Sequence, residues 1–444
     1  MTVGSLPIKI FVFSLPLIAS NLIQVLFNLS DIAVVGKAAG GRALGAVGST
    51  TILVGLFVGF LIGLGGGINV RVARHIGAKD REKLYKTVPT SLFVALFFGI
   101  LISLLGILFA RNILSLLGTK EELLEGAVLY FRIYLIGLPF TAIYDWGQAV
   151  YSAGGETGKP LLFLLISGIS NVVMNLFFVL VCGMEEDGVA LASAISQVLA
   201  AVLVTTSLLR CPEEYALKPK RICFDPVSAK DVIVIGVPGG LQNAIFALAN
   251  LFIQSAVNTF DTLTVEGNAA ATNADSLVYD VMNAFYIACA SFMGQNFGAK
   301  KKKRVLRSYF ISLFYSFLIG GILGLSFVLA GKNFLFFFTS DPAIAEAGLT
   351  RLRIMGFSYA FSSFMDCTIA ASRGLGKSLH PTLIVILGSC VFRVAWVYTV
   401  FAYFRTLKSL YLLYIFSWSI TAIAEIIYFI FAYRSATESM PSEP

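Results

Sequence analysis

Apolar runs about 20 residues long, broken by short polar stretches, recur along the whole chain. That is the length an α-helix needs to cross the roughly 30 Å hydrocarbon core of a bilayer. Twelve spans are predicted, near residues 9–34, 45–69, 88–110, 126–150, 160–182, 187–209, 230–256, 267–291, 306–330, 347–371, 381–404 and 410–433. Few residues precede the first run and no cleavage site follows it, so it reads as a retained span and not a removed signal peptide. The pattern predicts an all-α integral membrane protein.

The polar breaks supply the orientation. About 22 of the 33 Lys and Arg residues lie at the termini or in breaks after even-numbered spans, and about 10 after odd-numbered ones. The densest clusters, Arg71 to Lys86, Arg210 to Lys230 and Lys300 to Arg307, share one side. Cationic loops mark the cytoplasm, which predicts cytoplasmic N and C termini. The acidic run Glu185-Glu186-Asp187 falls on the opposite side.

The chain also repeats itself. Ile76-Gly77-Ala78-Lys79 closes one apolar stretch and Phe297-Gly298-Ala299-Lys300 closes another, 221 positions later. Asp145, Gly155 and Pro160 return at Asp366, Gly376 and Pro381 with the same offset, and Pro16 and Asn21 return at Pro238 and Asn243 one position beyond it. A period this long means two domain-sized halves, since solenoid repeats run at about 20–50 residues. The prediction is a six-helix bundle over 1–209, a cytoplasmic linker over 210–229 containing Pro212, Pro219 and Pro226, and a second six-helix bundle over 230–444. Because six is even, the pseudo-symmetric halves enter from the same side as parallel repeats, an architecture of secondary transporters.

Composition agrees: 57% of residues are hydrophobic and 13% charged, against about 25% charged in soluble domains. The net charge of +8 is accounted for by topology, so no nucleic-acid partner is expected. The two histidines, His75 and His380, stand alone, and the six cysteines form no CxxC pair. Neither an enzyme, a zinc site, a disulfide framework nor a cofactor is expected.

Polar side chains inside apolar runs therefore carry the functional signal, because an Asp at a helix centre costs roughly 2.5–3.5 kcal/mol in lipid. Gln24, Asn28 and Asp31 share one face of the first span by their i, i+4, i+7 spacing. Pro16 removes a backbone donor upstream and permits a gating bend. Asn171 and Asn175 lie one turn apart on the fifth span, and Ser193, Ser196 and Gln197 on the sixth. These oxygens suit a hard-cation site, a proton relay, or hydrogen-bonded packing between helices. In the second half, Asn243 and Asn250 persist, and the eighth span carries Asn273, Asp275, Asp280 and Asn283. Asp145 and Asp366 read as helix-end acids pairing with loop cations, while Arg393 requires a counter-charge, with Asp280 or Asp366 as candidates. The run Gly63-Leu64-Gly65-Gly66-Gly67 reads as close helix packing, since no P-loop Lys follows it.

Several of these stretches together resemble the multidrug and toxic compound extrusion (MATE) transporters of the multidrug/oligosaccharidyl-lipid/polysaccharide exporter superfamily. The carriers are Asn28-Leu29-Ser30-Asp31 through Gly36 behind Pro16, then Ala43-Leu44-Gly45-Ala46-Val47-Gly48. Paired "Q-x-x-GA" segments are similar to Arg74-His75-Ile76-Gly77-Ala78, where Arg74 replaces the usual Gln, and to Gln295-Asn296-Phe297-Gly298-Ala299. Gly154-Gly155-Glu156-Thr157-Gly158-Lys159-Pro160 with Asn171 and Asn175 resembles the family's "RGxGxTxxP…N" region.

The resemblance implies an antiporter of the inner or plasma membrane that exports organic, often cationic and amphipathic, drug-like compounds against inward H⁺ or Na⁺. It implies alternating access by rocking of the two bundles, with the lipid bilayer as surroundings and a monomer as the working unit. Its coupling site, an Asp in the first span, an Asn-x-x-x-Asp pair in the fifth and a hydroxyl in the sixth, falls on Asp31, Asn171, Asn175 and Ser193. Asn175 stands where an acid is common. One carboxylate in place of two weakens a tight Na⁺ site at Asp31 and leaves protonation of Asp31 as the alternative. The seventh-span acid of one branch has no counterpart, because Glu266 lies past that helix. The polar residues expected to line a substrate cavity are Gln24, Asn28, Gln197, Asn243, Asn250, Asp280 and Asp366. A lipid-linked oligosaccharide flippase of the same superfamily is the alternative. It would want a strongly cationic cavity for pyrophosphate, whereas Arg393 is the lone basic residue expected inside a span, among several acids.

Overall fold

The computed structural model describes residues 1–36, 40–336, 339–438 and 440. Among them are twelve long helices and no strand. They are α1 (Leu6–Val34), α2 (Gly40–Ala78), α3 (Arg81–Leu116), α4 (Glu121–Gly154), α5 (Gly158–Val181), α6 (Glu186–Arg210), α7 (Pro226–Val257), α8 (Thr262–Gly298), α9 (Lys302–Leu335), α10 (Pro342–Gly374), α11 (Leu379–Phe404) and α12 (Leu407–Thr437). Every predicted span coincides with one of them, the fifth running one residue past the end of α5. Eleven are long and apolar enough to cross a membrane. The exception is α10, which carries Arg351, Arg353, Asp366 and Arg373 together with the buried Ser358, Ser362 and Ser363. Its polarity reflects an interior position: α8, α9 and α12 all pack against it.

The chain forms two compact units, Ala19–Ala244 and Met1–Ile18 with Ile245–Pro444. Against an expected division at 210–229, the changeover from one unit to the other runs inside α1 and α7. In the first unit α4 is central, packed by α2, α3 and α6. Trp146 of α4 is fully buried and its indole N–H donates to Val88 O at 3.1 Å and Ser91 Oγ at 3.0 Å. The glycines of α2 act as the sequence suggests. A Cβ at Gly63 would come within 2.4 Å of Gly240 N, and one at Gly67 within 2.4 Å of Gly236 N, so the backbones of α2 and α7 touch there. Asn243 of α7 donates across this seam to Gly59 O at 2.9 Å.

In the second unit Leu6, Ile10, Phe13 and Leu17 form one buried face of α1 against Ala284, Phe285, Ala288 and Phe292 of α8. The α1 helix continues through Pro16 without interruption. Two backbone features express the repeat. Lys79 and Lys300, closing α2 and α8, both adopt left-handed φ, +57° and +56°. Both ends carry the same pair of closing bonds: Lys79 N to Ile76 O with Asp80 N to His75 O, and Lys300 N to Phe297 O with Lys301 N to Asn296 O. Gly155 and Gly376 close α4 and α10 in the same left-handed way. π-helical turns at Phe177–Val181 in α5 and Val397–Phe401 in α11 widen the matching ends of those helices.

Candidate functional site

Three helices of the Ala19–Ala244 unit bring Asp31, Asn171, Asn175 and Ser193 together. The one-turn spacing of the two asparagines stacks their amides on one face of α5 just before its π-helical turn. Asn175 is fully buried, and its Nδ2 donates to Asp31 Oδ1 of α1 at 2.5 Å and to Asn171 Oδ1 at 3.2 Å. Asn171 Nδ2 reaches Ser193 Oγ of α6 at 3.5 Å. Turning the Asn171 amide by half a turn instead brings its nitrogen to 2.8 Å from Asp31 Oδ1 and its carbonyl to 3.3 Å from Ser193 N. We favour that orientation because it gives the carboxylate a second charge-assisted donor. It also sets two NH₂ groups face to face, so the three groups cannot all be satisfied in one arrangement. Asn175 Oδ1 is buried with no hydrogen-bond partner.

Tyr130 and Tyr134 of α4 stack at 6.2 Å between ring centroids and lie within electrostatic reach of Asp31. Neither was singled out from sequence, since a tyrosine in an apolar run carries no distinguishing signal. Gln197 folds over Gly137 of α4, where its Oε1 leaves no room for a Cβ, and its side chain reaches Tyr134. Gln24 and Asn28 are exposed on α1, while Asp31 is half-buried.

The expected helix-end role of Asp145 and Asp366 does not hold. Helices α4 and α10 run on to Gly154 and Gly374, which places both acids about two turns inside. Asp145 Oδ2 is buried without a hydrogen-bond partner, and Asp366 lies within electrostatic reach of Arg393 and Arg373. Arg393 has one of its two expected counter-charges, Asp366, within electrostatic reach. Its hydrogen bonds go to Ser417 Oγ and Asn250 Oδ1, each at 3.3 Å, and the rings of Tyr414, Phe246 and Trp418 surround the guanidinium at 4.7, 5.3 and 5.9 Å. Asp280 is half-buried on α8.

Arg393 is also not the lone basic side chain in a helix interior. Arg351, inside the tenth predicted span but not singled out from the sequence, is buried in α10. It pairs with Asp275 Oδ2 at 2.6 Å and donates to Asn268 Oδ1 at 2.8 Å. Tyr359 donates to the other Asp275 oxygen and Tyr411 to Asn268 Oδ1 at 3.0 Å. Glu425 of α12 is fully buried near Arg373. Among the described residues no group of three or more His, Cys, Asp or Glu side chains could hold a metal ion.

Twelve long helices, a repeated half and a buried carboxylate–amide cluster define a multi-pass membrane transporter. The MatE family profile matches twice, over residues 16–177 and 238–399, so the chain belongs to the MatE family. Both matches start at the repeated prolines Pro16 and Pro238. The chain is 26% identical over 382 residues to the probable multidrug resistance protein YoeA of Bacillus subtilis, covering 84% of this chain and 82% of that one. It is 24% identical over 404 residues to the probable multidrug resistance protein NorM of Thermotoga maritima, covering 88% and 85%. A crystal structure of MATE in the bent conformation shares the fold at a TM-score of 0.90 and 21% identity, over 99% of this chain and 98% of that one.

Proposed function

We propose that the protein is a multidrug exporter that couples efflux of organic, often cationic and amphipathic, compounds to inward movement of a monovalent cation, with Asp31 as the coupling residue. In this reading it works as a monomer in the inner or plasma membrane, with its termini and Lys/Arg-rich loops in the cytoplasm. It needs no cofactor beyond the coupling ion. Several named relatives are multidrug resistance or export proteins, which supports the substrate class.

The observation that carries the coupling reading is the pairing of Asp31 with Asn175. With Asp31 ionised, the Asn175 amide donates to it. With Asp31 protonated, the same amide turned by half a turn would accept the new O–H, and the Asn171 amide could then donate to the Asn175 carbonyl. Proton binding thus changes which way a buried amide chain points. A cation coupled to transport must favour one access state while the drug favours another, because a ligand without differential affinity shifts nothing. The cluster holds one carboxylate, which suits one proton. A Na⁺ reading is favoured by one observation, the unpartnered Asn175 Oδ1, which could join Asp31 as an oxygen ligand.

The test is dye movement in liposomes holding the purified protein, with a pH or a Na⁺ gradient imposed separately. Ethidium efflux driven by one gradient, and lost in Asp31→Asn, is the expected result. Efflux of undiminished rate in Asp31→Asn would overturn the role of Asp31. No movement of any cationic dye under either gradient would overturn the exporter reading.

A further inference from the structure

A cavity of about 470 Å³ opens where the first turns of α3 meet the segment joining α6 to α7, at the end of the unit that carries its Lys/Arg-rich loops. Arg81, Lys86, Lys220 and Arg221 bring four cations to its wall, with Glu82, Tyr85, Ile222 and Cys223 completing it. Two of the cations are already matched: Arg81 donates to Glu214 at 2.7 Å and Lys86 to Glu82 at 2.9 Å. Lys220 and Arg221 are exposed, and among the described residues neither has a carboxylate partner. Arg221 lies over the Tyr85 ring at 4.5 Å and Lys218 over it at 4.8 Å, so Tyr85 holds two cations at the cavity mouth.

The segment is fastened rather than loose. Thr90 Oγ1 donates to Cys223 O at 3.3 Å and accepts from Asp225 N at 3.0 Å, and Lys218 Nζ donates to Tyr85 OH at 3.1 Å. The cationic wall is therefore built in place.

Immediately beyond it the surface turns apolar. Phe224 meets Phe93 edge-on at 6.3 Å, and both are exposed. Phe93 lies two turns along α3 from Lys86 on the same face, about 10 Å further into the span. Exposed Phe97, Leu104 and Leu108 continue α3's outward surface. A cluster of unmatched cations beside an apolar stripe fits a molecule with an anionic head and hydrocarbon tails.

We propose that this cavity binds the phosphate headgroup of an anionic phospholipid from the adjoining leaflet, with Lys220 and Arg221 on the phosphate and an acyl chain along Phe93 and Phe97. The volume suits a small polar headgroup. The apolar stripe selects a lipid over a soluble phosphate compound, which has no use for it. An occupant would also bridge the α6–α7 segment to α3, so it stabilises the folded unit by binding it alone.

The test uses the purified full chain in mild detergent, offered phosphatidylglycerol and phosphatidylcholine with identical acyl chains, and native mass spectrometry to read retention. Phosphatidylglycerol is expected to be retained in preference, and to raise the melting temperature. The double variant Lys220→Glu/Arg221→Glu is expected to lower its retention by about tenfold or more. Lys302→Glu/Lys303→Glu, in a different basic loop, is expected to change it less than about twofold. Equal retention of the two lipids, or equal losses in both double variants, would overturn the site. Displacement of the lipid by millimolar glycerophosphate or inorganic phosphate would overturn the lipid as occupant in favour of a soluble phosphate. Retention through that challenge, with Lys220→Arg/Arg221→Lys behaving as wild type, upholds it.

Discussion

Asn175 donates its amide hydrogen to Asp31, 144 positions earlier in the chain, and this bond joins α5 to α1. The carboxylate thereby gains a charge-assisted donor in a low-dielectric setting, where such bonds are strong and their loss is costly. An acid at this position is held by an amide that can reverse its role when the charge is removed.

Replacing Asn175 by Leu keeps the branched outline of the side chain but removes both the donor and the carbonyl. Gradient-driven dye efflux is expected to fall by about tenfold or more, with protein yield and gel-filtration profile maintained, since a charge-assisted bond contributes about 1.5–3 kcal/mol. Asn175→Asp supplies a second carboxylate, and transport is expected to gain dependence on Na⁺, read as dye efflux under a Na⁺ gradient at fixed pH.

The contact of α2 with α7 leaves no room for a methyl group. Gly63→Ala and Gly67→Ala should each cost about 1–3 kcal/mol through forced backbone shifts, seen as a lower melting temperature. Gly66→Ala, where a Cβ would meet nothing within 4 Å, should leave it near wild type or slightly higher.

The buried Arg351–Asp275 pair makes an asymmetric prediction. Arg351→Met alone leaves a buried carboxylate and is expected to destabilise by about 3–5 kcal/mol. Arg351→Met combined with Asp275→Leu removes both charges and should recover much of the loss, measured by thermal unfolding of the two variants side by side.

Lys79 and Lys300 occupy left-handed backbone that costs a residue with a Cβ about 1 kcal/mol. Lys79→Gly/Lys300→Gly is expected to raise the melting temperature or hold it level, because relief of strain is offset by greater freedom of the unfolded chain. Valine at either position should lower it, since a β-branched residue tolerates this φ poorly.

Much of the architecture was legible in one dimension. All twelve predicted spans coincide with helices, since the thickness of a bilayer imposes a length that composition reveals. The motif ending in Lys79 and Lys300 appeared first as a repeated string and returns as a repeated backbone turn. The small residues of α2 announced a close approach but not its partner, because glycine spacing carries no record of which helix lies opposite. Resemblance grouped Asp31, Asn171, Asn175 and Ser193, and their side chains do meet in the fold.

Charges inside helices were read least well. Arg351 was not singled out, because a charge near the end of a span has the same appearance whether water or Asp275 answers it. Arg393 has an expected acid, Asp366, within reach, but its hydrogen bonds and ring contacts go to Ser417, Asn250 and Tyr414, partners that depend on what α7 and α12 present. Apolar length, loop charge and repetition act locally and additively, so the order of residues alone specified a twelve-helix, two-fold repeated membrane chain. Which polar groups meet depends on helices far apart in sequence packing side by side. For that reason the partners of Asp31, Arg351 and Arg393, and the cationic cavity between α3 and the α6–α7 segment, emerged with the fold.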